Sequence, residues 1–245
     1  MGLPLLAPWA NRLAGRRYRS AGVDVDLSGL PLSTDDNGLP IHGLLVGRAG
    51  WRLDRSSTRG GRASVRASID VDAQAFPFPH RIELTVAVRD RELTVGTTVV
   101  PTGRRAVPVA FGWHPYLRLP GTPRRRWHLR LPTRTHLTLD ERGIPTGGEQ
   151  PEGREADAIG RRTFDDLYGL GHDRKLTLVA DGASITMRAG SGYPYAQVWV
   201  PPGRPFAALE PMTARTNGLV DGSAPVVRPG DSYSAAFSLA IGDEP

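Results

Sequence analysis

Apolar and polar residues alternate with a period of two through much of the chain. From Arg81 to Val88, Ile82, Leu84, Val86 and Val88 share one face, and Arg81, Glu83 and Thr85 the other. After the polar turn Arg89-Asp90-Arg91 the pattern resumes at Leu93, Val95, Thr97 and Val99, which predicts an antiparallel hairpin. A second hairpin is predicted over Lys175 to Ala180 and Ala183 to Arg188. Its link, Asp181-Gly182, is a pair that accepts the positive φ of a tight turn. Shorter strands are expected at Leu129 to Leu131, His136 to Leu139, Ala196 to Val200, Ala207 to Glu210 and Tyr233 to Ile241. A helix is expected only at Ala158 to Leu170, where the pattern is short and weakly amphipathic. Asp140 to Gly160 reads as a long loop, because its apolar residues are too sparse to pack.

The 29 glycines and 22 prolines are spread throughout, a density of breakers that long helices do not survive. Many short strands at turn spacing predict an all-β chain, one large antiparallel β-sandwich or barrel forming a single domain over residues 1–245. The absence of cysteine excludes zinc-finger, iron–sulfur and thiol chemistry and fits a cytoplasmic protein. No apolar run approaches a membrane span, and Leu3 to Ala10 lacks the flanks of a signal peptide, so no membrane association is expected. The net charge of +6 invites a nucleic-acid reading, but the arginines are scattered beside 25 acidic residues. The densest cluster, Arg124-Arg125-Arg126, sits in a predicted loop with few aromatics near it, so no nucleic-acid partner is expected.

Nucleotide-binding G-x-x-x-x-G-K, G-x-G-x-x-G, H-E-x-x-H and G-x-S-x-G motifs are all missing. None of the six histidines has the spacing of a helical metal pair, so no metal site is expected. Four segments are unusual for a plain β-scaffold. In Pro8 to Tyr18, Asn11 and Arg12 offer a donor–acceptor amide and a fork of donors, a pairing suited to hydroxyl-rich ligands. In Pro40-Ile41-His42-Gly43 an imidazole occupies a tight turn. Phe111 to Tyr116 carries His114, and Leu209 to Thr213 carries Glu210. Each of these last two ionisable residues precedes a proline, which biases it to extended backbone. A lone histidine or a lone strand-end glutamate is ordinarily structural. The combination of imidazole, carboxylate and polar anchors is what points to acid–base catalysis.

These blocks, taken in order, resemble the aldose 1-epimerase (mutarotase) family. The resemblance rests on PWANRLAGRRY at Pro8, PIHGL at Pro40, FPFPHRIELTV at Phe76, FGWHPYLRLPG at Phe111 and ALEPMT at Ala208, with FDDLYG at Phe164 matching less strongly. It implies a large antiparallel β-sandwich of the galactose mutarotase type. It also implies interconversion of the α- and β-anomers of a free aldohexose, without cofactor. Carried over by motif, His114 would be the general acid and Glu210 the general base. Arg12, His42 and an aspartate of FDDLYG would hold the sugar hydroxyls, Asp165 in preference to Asp166. The implied partner is a small-molecule sugar, with the protein a monomer or homodimer.

The family usually carries several dozen residues before the N-R block, which here begins at Pro8. This implies either a sandwich lacking its first N-terminal strands or a start site placed late. Leu117 also stands where the family often has phenylalanine. Two other readings stay open: a hexose-6-phosphate 1-epimerase, and a catalytically silent carbohydrate-binding protein.

Overall fold

The alternating segments pair as two large antiparallel sheets, beside two small two-stranded ones (Arg17–Ser20 with Val23–Asp26, and Val226–Val227 with Val107–Pro108), in a computed structural model that describes residues 2–243. One sheet runs, in spatial order, Leu5–Leu6, Gly112–Trp113, Ala207–Met212, Tyr195–Val200, Phe164–Leu170, Arg134–Leu139 and Pro145–Glu152, with Tyr116–Leu117 also paired to Ala207–Met212. The other runs Glu155–Ala158, His128–Leu131, Lys175–Ala180, Ala183–Ala189, Tyr233–Gly242, Glu92–Pro101, Phe76–Arg89, Arg62–Ala73 and Arg52–Arg59. Both predicted hairpins are present: Arg89 lies opposite Glu92, and Ala180 opposite Ala183. Of the Asp181-Gly182 pair, only Gly182 has positive φ. No helix among the described residues is long and apolar enough to cross a membrane.

The sheets stack over one core. Tyr168, Val198 and Leu209 from the first meet Ile82, Val95, Leu178, Met187 and Phe237 from the second. Burying each such side chain contributes about 1.5–3 kcal/mol. A cross-sheet bond accompanies the packing, Trp113 Nε1 donating to Thr97 Oγ1 at 3.0 Å. Alternation then decides where the polar residues go. Leu209 points into the core while Glu210 points to the outer face of its sheet, and Trp113 and His114 divide in the same way. A smaller cluster of Leu6, Ala10, Leu137, Leu167 and Met212 covers part of that outer face.

Two expectations are corrected. Ala158 to Leu170 is not helical: Gly160 turns the chain at φ 56, and Phe164–Leu170 is a strand held between Arg134–Leu139 and Tyr195–Val200. Leu167, Tyr168 and Leu170 are buried on opposite faces, which hides the alternation, and pairing on both sides overrides the local preference. Asp140 to Gly160 is likewise not a long loop, since it carries the strands Pro145–Glu152 and Glu155–Ala158. Each is the outermost strand of its sheet and exposed, so it needs few apolar residues. Among the described residues, the single α-helix is the short turn Gly218–Asp221.

The arginine cluster Arg124–Arg126 forms one 3-10 turn. Arg124 donates to the carbonyls of Gly160 and Arg162, and Arg126 pairs with Asp181. Two of the three guanidinium groups are thus engaged within the chain.

Candidate active site

Three neighbouring strands place their polar residues in register on the outer face of the first sheet. Leu167 lies opposite Gln197, and Gln197 opposite Glu210, while Asp165 is paired with Trp199 one step along. The block Phe111 to Tyr116 closes this row. Met212 pairs with Gly112, and both the backbone N–H and the Oγ1 of Thr213 donate to the carbonyl of Phe111. This junction brings His114 Nε2 to 3.2 Å from Glu210 Oε1, with the two side chains 7% and 3% exposed.

The N-terminal blocks supply the facing wall. Asn11 and His42 both adopt positive φ, 55 and 64. The Asn11 carbonyl accepts the His42 backbone N–H at 3.0 Å, locking the two turns together. Gly43 makes this approach possible: with φ 67, a Cβ there would lie 2.3 Å from the carbonyl oxygen of Ala7. His42 packs edge-on against His114, with ring centroids 5.6 Å apart. Arg12 spreads its fork over three acceptors: Nε to Asp35 Oδ2 at 2.7 Å, Nη1 to Asn11 Oδ1 at 3.1 Å and Nη2 to Asp165 Oδ2 at 3.2 Å. Gln197 Nε2 donates to the other oxygen of Asp165 at 2.7 Å.

The electrostatics follow from burial. Glu210 is pushed well above the ordinary carboxylate range by loss of water; Asp165 adds to the effect and Arg12 opposes it. His114 is lowered to about 4, again by burial, with Asp165 opposing. His42 is lowered to about 3 by burial, with the charges of His114 and Arg12 adding. At Asp35, burial is outweighed by the Leu39 backbone N–H and the Arg12 guanidinium, which hold its carboxyl below the usual range. Glu210 Oε2, Gln197 Oε1, His114 Nδ1 and His42 Nδ1 are buried with no partner in the protein. Leaving such a group unpaired costs about 1–3 kcal/mol.

The structure thus brings Asn11, Arg12, His42, His114, Asp165 and Glu210 together from five separated segments. Asp166 points to the opposite face, where its Oδ1 lies 3.5 Å from His136 Nε2. Sequence reasoning missed Gln197 and Asp35. A lone amide within the apolar run Ala196 to Val200 was the available signal for Gln197. Asp35 sits in a polar turn with no such signal, and only the fold carries it to Arg12. An aromatic flank was also missed. Tyr116 stacks on His114 at 4.4 Å and 21°, while Trp199 meets His114 edge-on at 5.4 Å and packs at a tilt on Phe206 at 5.5 Å.

Comparison with known proteins agrees with this architecture. Residues 3–240 match the family described as aldose 1-epimerase. A galactose mutarotase-like protein from Clostridium acetobutylicum has the same fold, with TM-score 0.83 and 19% identity over 99% of this chain and 80% of that one. The galactose 1-epimerase from Lactobacillus acidophilus superimposes with TM-score 0.78 and 14% identity, over 98% of this chain and 80% of that one. The uncharacterized protein YihR of Escherichia coli K12 is 27% identical over 143 residues, 58% of this chain. That match spans 44% of YihR, under half its length. The family match covers nearly the whole sequence, and the chain belongs to the aldose 1-epimerase family.

Proposed function

We propose that this chain is an aldose 1-epimerase that interconverts the anomers of an uncharged free aldose, with Glu210 and His114 as the proton-transfer pair. The observation that carries the reading is the 3.2 Å contact between His114 Nε2 and Glu210 Oε1, buried beside Arg12, Asp165 and Gln197.

Opening a cyclic hemiacetal removes a proton from the anomeric hydroxyl and delivers one to the ring oxygen. Glu210 takes the first and His114 gives the second. The C1–C2 bond rotates, the carbonyl presents its other face, and reclosure returns both protons. Before reaction the pair needs its single shared proton on His114. Burial, with Asp165 adding to it, favours that proton on Glu210, while Arg12 favours the Glu210 carboxylate and Asp165 also favours the imidazolium. One proton crossing the short contact therefore prepares both groups. Each transfer contributes about 10²–10⁴ in rate. Arg12, His42, Asn11, Asp165 and Gln197 hold the hydroxyls and keep the ring oxygen within reach of His114.

Charge supports an uncharged substrate. Asp35 and Asp165 already outnumber Arg12, whose three kinds of nitrogen are all engaged. A sugar phosphate would find no free cation among these residues.

The test is polarimetry on freshly dissolved α-D-glucose and α-D-galactose, with wild type, Glu210→Gln and His114→Asn. Equilibration accelerated by wild type and lost in both variants, with circular dichroism unchanged, is the expected result. Full activity in either variant overturns the assigned roles. Saturable sugar binding with no acceleration by wild type identifies a silent binding protein instead.

A further inference from the structure

Far along the second sheet, Arg52–Arg59, Arg62–Ala73 and Phe76–Arg89 project a ribbon whose tip is exposed on both faces. Arg52–Arg59 is the outermost strand, exposed at every residue, and among the described residues no strand pairs with its outer edge. Gly60 and Gly61 close the tip with φ of 58 and 73, the two-residue turn that suits the twist of a hairpin. In the ladder Arg59 lies opposite Arg62, Arg62 opposite Arg89, and Arg55 opposite Arg66, with the Ser57–Ser64 pair between those rows. These four arginines of the two outer strands, both serines and Thr85 line one shallow groove.

Like charges directly opposite one another destabilise a sheet. Elsewhere this chain sets opposite charges at such positions: Arg17 with Asp26, Arg19 with Asp24 and Arg81 with Asp70, each joined by an ion pair. Among the described residues, no carboxylate pairs with Arg55, Arg59, Arg62 or Arg66. Only at the far end of the row does Arg89 reach Asp90, at 3.7 Å, with Glu92 as its ladder neighbour. The reverse face of the ribbon is apolar on its two inner strands, with Ala63, Val65, Val86 and Val88 along a second groove and Val65 and Val88 41% and 45% exposed, while the outermost strand contributes Ser56 and Thr58 to it.

We propose that this edge binds an extended acidic segment of a partner protein, added as a further strand beside Arg52–Arg59. Its main chain would pair with the open edge, and every second side chain would fall on the arginine face. The occupant is therefore a strand with carboxylates at alternate positions, facing Arg55 and Arg59, and between them β-branched residues, which favour an extended strand and fall beside Ser56 and Thr58 on the reverse face. Nucleic acid fits less well, because the basic groove holds no aromatic ring on which a base could stack.

The experiment is fluorescence anisotropy of the intact protein with a short labelled peptide of alternating glutamate and valine. Its companions are the same peptide with two valines replaced by proline, and an oligothymidylate. The Arg55→Ser/Arg59→Ser double variant, shown folded by circular dichroism, is the protein control. Saturable binding is expected that weakens with salt, falls about tenfold or more in the double variant, and disappears with the proline peptide. Equal affinity for the proline peptide overturns strand addition, and tighter binding of oligothymidylate overturns the choice of partner. No binding of any probe also overturns the proposal and leaves the arginines as guards against edge-to-edge aggregation.

Discussion

Gln197 Nε2 donates to Asp165 Oδ1 at 2.7 Å, while the other oxygen of that carboxylate accepts from Arg12. Asp165 is half-exposed, so without these two donors its side chain would sample several rotamers. Gln197→Leu should therefore raise KM for the sugar more than it lowers kcat, by about three- to tenfold, the worth of one hydrogen bond. Gln197→Glu should do more harm, because it sets another carboxylate beside Asp165. Polarimetric rates over a range of sugar concentration separate KM from kcat.

Asp165 and Asp166 are adjacent in sequence and lie on opposite faces of one strand. Asp165→Asn removes the charge that holds Arg12 and should raise KM about tenfold or more. Asp166 is raised above the ordinary carboxylate range by burial, with His136 opposing. Its isosteric Asp166→Asn should leave activity unchanged and stability within about 1 kcal/mol of wild type. Equal loss in both variants would remove Asp165 from the site.

That same strand marks the limit of what the sequence could tell. Lys175–Ala180 and Ala183–Ala189 were legible because a turn pair joins two runs of clear alternation. Phe164–Leu170 was not, because Leu167 and Tyr168 are buried on opposite faces in separate clusters, and Pro145–Glu152 was not, because it is an exposed edge. The site divides in the same way. His114 and Glu210 stood out as ionisable residues fixed before prolines in otherwise apolar or aromatic segments. Gln197 and Asp35 gain their roles from strand register and from a long-range contact, which no local pattern encodes.

His42 is lowered from 6.5 to about 3 in the folded chain, through burial and the charges of His114 and Arg12. The unfolded chain therefore binds a proton here more readily. The stability that His42 contributes is complete above about pH 6.5 and is lost as pH falls toward 3. His114 and the buried His80 are shifted in the same direction and add to this loss, while Glu210 is raised and acts in the opposite sense. Melting temperature should thus fall between pH 6.5 and 4.5, and His42→Gln should flatten that fall. Thermal melts of both proteins across this range provide the check. An equally steep fall in the variant would place the titrating group elsewhere.

With Asp35 and Asp165 both paired to the single cation Arg12, an added phosphate on the sugar meets net negative charge. Glucose 6-phosphate should show a kcat/KM about tenfold or more below that of glucose, and the gap should narrow as salt screens the field. Competition experiments with inorganic phosphate should show no inhibition. Preference for the phosphorylated sugar, or competitive inhibition by phosphate, would transfer the assignment to a hexose-6-phosphate epimerase.

Tyr116 stacks on the His114 ring at 4.4 Å and 21°, and Trp199 meets the same ring edge-on. They flank the imidazole where its Nε2 faces Glu210 at 3.2 Å. Tyr116 is only half-buried, so its removal should cost little folding stability, while a free imidazole would spend less time aligned for transfer. Tyr116→Ala should lower kcat about tenfold with KM nearly unchanged, since the residues proposed to hold the hydroxyls are untouched. Tyr116→Phe keeps the stack and should retain near-full kcat. A purely structural role would instead lower the melting temperature of Tyr116→Ala and leave the kcat of the folded fraction intact, which activity normalised to folded protein would reveal.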